Sequence, residues 1–91
     1  MPLLLVVEDN DELRSFLMET MRNHYRDIEA ADGLKAWEMI LEELPDVDIS
    51  DVMMTGQDGF DLCSICKADN RTAHIYWLYL ANFKSRTRYQ A

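Results

Sequence analysis

Three carboxylates occupy positions where they could do chemistry together. Glu8 and Asp9 directly follow the apolar run LLLVV at 3–7, and Asp51 directly follows VDIS at 47–50. In an open parallel sheet, functional groups collect outside the carboxyl ends of the strands, so neighbouring first and third strands would place all three acids in one cleft. Packing three anions together is unfavourable unless a cation joins them. Magnesium suits such a site, because it takes oxygen ligands, uses one or two carboxylates and keeps waters that a phosphate can replace. An Asp with one oxygen free beside that ion can attack a phosphoryl group in line, giving an aspartyl phosphate. Acids after strands are also common as solvated turn residues, and spacing alone leaves both readings open.

The elements that must position these acids alternate. The run at 3–7 is continuous and apolar, as in a strand buried on both faces. EDND follows, with Asn10 or Asp11 able to cap a helix that carries Leu13, Phe16, Leu17 and Met21 on one face up to about His24. Residues 26–31, RDIEAA, read as a strand of weak pattern, closed by Asp32-Gly33. A helix over 34–43 presents Trp37, Ile40 and Leu41 and ends before Pro45. Val47–Ser50 is the third strand. A loop with Gly56 and Asp58-Gly59 leads to a helix over Phe60–Lys67 that presents Phe60, Leu62, Cys63 and Cys66. The polar ADNRTAH then leads to IYWLYLA at 75–81, the strongest β-former in the chain. Strands alternating with helices at this spacing mean a parallel sheet with crossover helices, here four strands and three helices with a C-terminal stub that begins a fourth. No repeat, low-complexity run or linker divides residues 1–91, which read as one domain.

Composition narrows the partners. Seventeen acids against nine Lys and Arg give a formal net charge of −8, which argues against binding a phosphate backbone. The opening MPLLLVVEDN lacks a basic start and runs into acids too soon for a signal peptide, and no stretch is long enough to cross a bilayer. Cys63 and Cys66 form C-x-x-C, but a zinc site would need His24 or His74 from distant contexts, so both cysteines read as small apolar helix residues in a reducing, cytoplasmic setting.

VVEDN at 6–10, PDVDISDVMMTGQDGFDLC at 45–63 and KADNRTAHI at 67–75 together resemble the receiver domain of two-component response regulators, and especially receiver modules built into hybrid sensor kinases. The resemblance implies a flavodoxin-like doubly wound sheet of order 2-1-3-4-5. It implies that Asp51 accepts a phosphoryl group from the phosphohistidine of a histidine kinase or phosphotransfer domain. Asp9 would bind magnesium directly, Glu8 mainly through water, and the backbone carbonyl of Met53 would complete the protein ligands.

The chain also departs from that pattern. The Thr or Ser that ends the fourth strand in receivers, and hydrogen-bonds the phosphoryl group, is replaced by Ala81, with Asn82 beside it as the substitute donor. The Lys that receivers carry after a fifth strand has no counterpart, the chain reading as lacking its fifth βα unit. Lys67 and Lys84 read as solvated surface charges, and the stub's Lys84, Arg86 and Arg88 as a solvated face. Thr55 stands where the family usually has Pro. Asp48 falls inside the third strand, where its charge must reach an edge, find a partner or titrate upward. Without a fifth strand, 75–81 would be an apolar, aromatic sheet edge able to pair with another chain.

Three functions compete. The first is a magnesium-dependent phosphoacceptor module. The second is a degenerate receiver that serves as an interaction or dimerisation domain without phosphorylation, as Ala81 and the missing Lys would favour. The third, a magnesium-dependent phosphatase with an Asp nucleophile, wants a second Asp two residues on, where this chain has Met53, and ranks last.

Overall fold

The computed structural model describes residues 1–50 and 59–79, with backbone alone at 59 and 60. Seven elements alternate along it: β1 (Leu3–Val7), α1 (Asp11–Met21), β2 (Arg26–Ala30), α2 (Gly33–Glu43), β3 (Val47–Ser50), α3 (Gly59–Ala68) and β4 (Tyr76–Tyr79). The strands form one parallel sheet in the order β2-β1-β3-β4. The first and third strands are therefore neighbours, paired from Leu4 with Val47 to Val7 with Ser50.

Every residue of β1 is buried, as its unbroken apolar run requires of a central strand with both faces covered. Alternate residues feed opposite faces. Leu5 and Val7 join Ala36 and Ile40 of α2 and Leu62 and Cys66 of α3, with Ile75 closing the cluster. Leu4, Val6 and Ile49 face the other way, against Leu17, Met18 and Met21 of α1 and against Tyr25. Burying each such Leu or Ile side chain is worth about 1.5–3 kcal/mol, which is how one short strand comes to organise two layers of core.

The helix ends follow local chemistry. Asn10 caps α1 by accepting the Leu13 amide at 2.9 Å, and Asp32 caps α2 by accepting the Lys35 amide at 2.8 Å. The helix α1 stops at Met21 rather than continuing to His24, and Phe16, expected on its buried face, is 61% exposed while Met18 packs inward instead. Pro45 is buried just beyond α2, and the chain turns before it through Leu44, whose φ of 47° and ψ of 64° lie in the left-handed region while its N–H donates to Ile40 O. A β-carbon there is disfavoured. Leu44→Gly is expected to stabilise the fold by about 0.5–1 kcal/mol, seen as a higher urea midpoint at unchanged slope. An unchanged or lower midpoint would show that the half-exposed Leu side chain contributes more than its backbone costs.

In β4 the described strand runs over Tyr76–Tyr79, while Ile75 is a buried residue just before it and Leu80 and Ala81 lie outside the described residues. The C-x-x-C pair behaves as small apolar residues do. Cys66 is buried in the core, its thiol pushed up to about 12 by burial first and by the charge of Asp48 second, and Cys63 is half-buried; both are free. Lys67 differs from a freely solvated charge. Its ammonium donates to Ile75 O at 3.0 Å, tying the end of α3 to the entry of β4. Among the described residues no helix is long and apolar enough to cross a membrane.

Candidate functional site

At the carboxyl end of β1 the chain leaves the sheet directly into Glu8 and Asp9. Glu8 is fully buried and its N–H still donates to Ala30 O of β2 at 3.1 Å, so it continues one side of the strand ladder past Val7. Its carboxylate curls back and accepts the Asn10 N–H at 2.8 Å through Oε2. Asp9 is half-buried at the opening of the turn. The acid pair is therefore presented by a turn whose next residue, Asn10, is fixed as a helix cap.

The cation of Arg14 braces this turn from below. Arg14, in the first turns of α1, donates from Nη1 to Glu8 O at 2.7 Å, from Nε to Glu29 Oε1 of β2 at 2.9 Å and from Nη2 to Asp11 Oδ1 at 2.6 Å. The hydrogen bonds with Glu29 and then Asp11 raise its already high pKa, so the guanidinium is permanently charged. Spacing did not single out Arg14. The signal that could have found it is its position one helical turn past the cap, where a long side chain reaches back over the preceding turn.

On β3 the pairing of Val7 with Ser50 brings the last residues of two strands side by side. Asp51, Met53 and Thr55 follow Ser50 outside the described residues, as do Ala81, Asn82 and Lys84 after β4. Among the described residues no three His, Cys, Asp or Glu side chains are grouped to hold a metal, the third expected acid, Asp51, lying beyond them. The oxygen donors that are described, two consecutive carboxylates at a strand end, fit a hard divalent cation rather than zinc or copper.

One buried acid stands apart from this pair. Asp48 points into the layer beneath α3, fully buried. Its Oδ1 accepts the Ser50 hydroxyl at 2.6 Å and its Oδ2 has no hydrogen-bond partner among the described residues. Burial pushes its carboxyl up to about 7, with the Ser50 bond pulling weakly the other way. Of the outcomes open to a charge in mid-strand, the fold takes the upward titration.

A four-stranded parallel sheet in the order 2-1-3-4, with acids at the carboxyl end of its central strand, defines a flavodoxin-like doubly wound domain. Comparison with known proteins names the family within that fold. The family model of the response regulator receiver domain matches residues 4–87, and the chain belongs to that family. It is 39% identical over 72 residues to histidine kinase P4 of Formosa agariphila, covering 79% of this chain and 5% of that one. It is 36% identical over 74 residues to the sensor histidine kinase TmoS of Ectopseudomonas mendocina, covering 81% of this chain and 8% of that one. Among solved structures it resembles the N-terminal domain of a response regulator receiver protein from Methanoculleus marisnigri JR1, with a TM-score of 0.82 and 29% identity over 87% of this chain and 65% of that chain. The chain thus spans a small part of the kinases it matches and about two thirds of the receiver structure. It is a receiver domain of two-component signalling.

Proposed function

We propose that this domain accepts a phosphoryl group on Asp51 from the phosphohistidine of a kinase or phosphotransfer partner, with magnesium held by Asp9, by Glu8 mainly through water, by Asp51 and by the backbone carbonyl of Met53. The observation that supports this most is the pairing of Val7 with Ser50, because the residues next in the chain are Glu8 and Asp9 on one strand and Asp51 on the other. Bound magnesium would supply charge neutralisation on the transferring oxygens. The residues of the chain do the rest. The buried Glu8 and the cap at Asn10 keep the acid turn in one conformation, and Asp51 supplies the attacking oxygen. Ala81 brings no hydroxyl to the phosphoryl group and Asn82 is the substitute donor, so the acceptor step depends on the acid cluster more than on a switch residue. The setting is cytoplasmic, and this domain binds no nucleic acid, in keeping with its net charge of −8.

The test is intact-mass spectrometry after incubation with magnesium and a small phosphoryl donor, beside a sample with the metal chelated. One phosphoryl adduct that needs magnesium and maps to the peptide containing Asp51 is the expected result. A folded chain that gains none would move the reading to a domain that interacts without phosphorylation.

That second reading has an observation of its own. Tyr76 and Leu78 of β4 are 64% and 41% exposed on one face of the outermost described strand, next to Val47 and Ile49 of β3. Self-association through the strand at 75–81 would cover them. Light scattering at high concentration is expected to show a dimer that Leu78→Lys dissociates; a monomeric parent chain would overturn it.

A further inference from the structure

The peptide joining Glu8 to Asp9 is held by a side chain that belongs to neither acid. Its carbonyl, Glu8 O, lies just past the last paired residue of β1, Val7, and the hydrogen bond it accepts from Arg14 Nη1 at 2.7 Å takes the place of a strand partner. The same guanidinium is anchored on β2 through Glu29 and on the first turn of α1 through Asp11. Arg14 is 13% exposed, whereas Asp11 and Glu29 are 87% and 52% exposed, so the two ion pairs are weak by themselves and serve to orient the fork. Around the acid pair, the Glu8 N–H is fixed by Ala30 O, the Glu8–Asp9 carbonyl by Arg14 and the Asn10 N–H by Glu8 Oε2. With three successive peptide planes pinned, the directions in which both carboxylates leave the backbone are set before any cation arrives.

We infer that Arg14 is a positioning residue for the metal-binding turn, preorganising Glu8 and Asp9 through the peptide between them. The inference rests on the proposed magnesium site. Electrostatics and positioning make opposite predictions for this residue, which is what makes it testable. A permanent positive charge under two acids opposes a dication, so a role of charge alone means that Arg14→Met binds magnesium more tightly. A role in positioning means the reverse, because the freed turn must be ordered when the ion binds.

The experiment is a calorimetric magnesium titration of the parent chain, Arg14→Met and Arg14→Lys, with a thermal melt of each and the phosphorylation rate measured across the same metal range. Arg14→Lys keeps the charge and the aliphatic stem but lacks the planar fork that reaches Glu8 O, Glu29 and Asp11 together. Both variants are expected to bind magnesium about tenfold to a hundredfold more weakly, the cost usual for residues that support metal ligands from behind. Saturating metal should restore the rate to near the parent's, a split that loss of fold would not give. A folded Arg14→Met with equal or tighter affinity overturns the inference, as does parent-like affinity in Arg14→Lys should the Met variant unfold. A parent chain that takes up no magnesium overturns the metal reading itself, which separates the two failures.

Discussion

Asp51→Asn is expected to abolish the phosphoryl adduct, and Asp9→Asn to slow its formation at least about a hundredfold, or about 2.7 kcal/mol in the barrier. The two losses differ in kind. An amide at position 51 has no oxygen nucleophile, so no concentration of magnesium or donor should rescue it. At position 9 the acceptor stays intact and what is lost is one formal charge on a ligand to the cation, so higher magnesium should recover part of the rate. Intact-mass spectrometry over a magnesium range reads both. Neither substitution should lower stability much, since removing one acid from a cluster relieves repulsion in the metal-free protein. A melting temperature equal to or above the parent's would confirm that the lost adduct reports chemistry rather than unfolding. An adduct that persists in Asp51→Asn would place the acceptor elsewhere.

How legible these features were depended on whether they were local. LLLVV announced a central strand because five apolar residues in a row need cover on both faces, and β1 has it. RDIEAA gave only a weak pattern for a reason the sheet order explains. Among the described residues β2 is an outer strand with a single neighbour, β1, and of its five residues only Ala30 is buried. The cap of α1 is a bond across three residues, so the sequence narrows it to Asn10 or Asp11, and Asn10 takes it; Asp32 shows in the sequence only as part of a turn, although its bond to the Lys35 amide spans the same three residues. Phe16 misled because helical spacing specifies a stripe but not its edge; the sheet below selects Leu17, Met18 and Met21 and leaves the ring outside. The Arg14 fork joins residues 8, 11, 14 and 29, and its link to β2 exists only once that strand pairs with β1. Lys67 looks solvated in the sequence for a similar reason, since Ile75 O becomes its acceptor only after α3 and β4 have turned toward each other.

Asp48 was visible in the sequence as a conflict, and it carries the largest stability prediction. Across the sheet it pairs with Leu5 and Trp77, and from α3 the thiol of Cys66 feels its charge. On β4 the phenol of Tyr79, raised to about 12 by burial first and by Cys63 second, feels it too. No cation faces it among the interactions described at that position, so its charged form is disfavoured in the fold. A carboxyl that titrates at about 7 when folded and at 3.8 when free ties about 4 kcal/mol to folding at most. The sign follows from proton counting. Between those two values the folded state binds more protons than the unfolded one, so stability falls as pH rises through the window and is flat above it. Asp69 acts elsewhere, because its exposed pair with Arg71 holds its carboxyl down to about 2; that contribution is lost only below the ordinary carboxylate range. Cys66 and Tyr79, both near 12, are silent in the window.

Asp48→Val should therefore flatten the pH dependence of stability between pH 4 and 8. At pH 8 it removes an ionised buried carboxylate but leaves the Ser50 hydroxyl without its partner, a loss of about 1–2 kcal/mol, so a net gain of about 2 kcal/mol is expected. At pH 4 the parent carries a neutral carboxyl and the variant should be equal or slightly less stable. Urea unfolding of both chains at the two pH values measures this directly. Equal pH slopes in parent and variant would mean that Asp48 remains charged in the folded protein, and that the space beneath α3 is better solvated than its full burial implies.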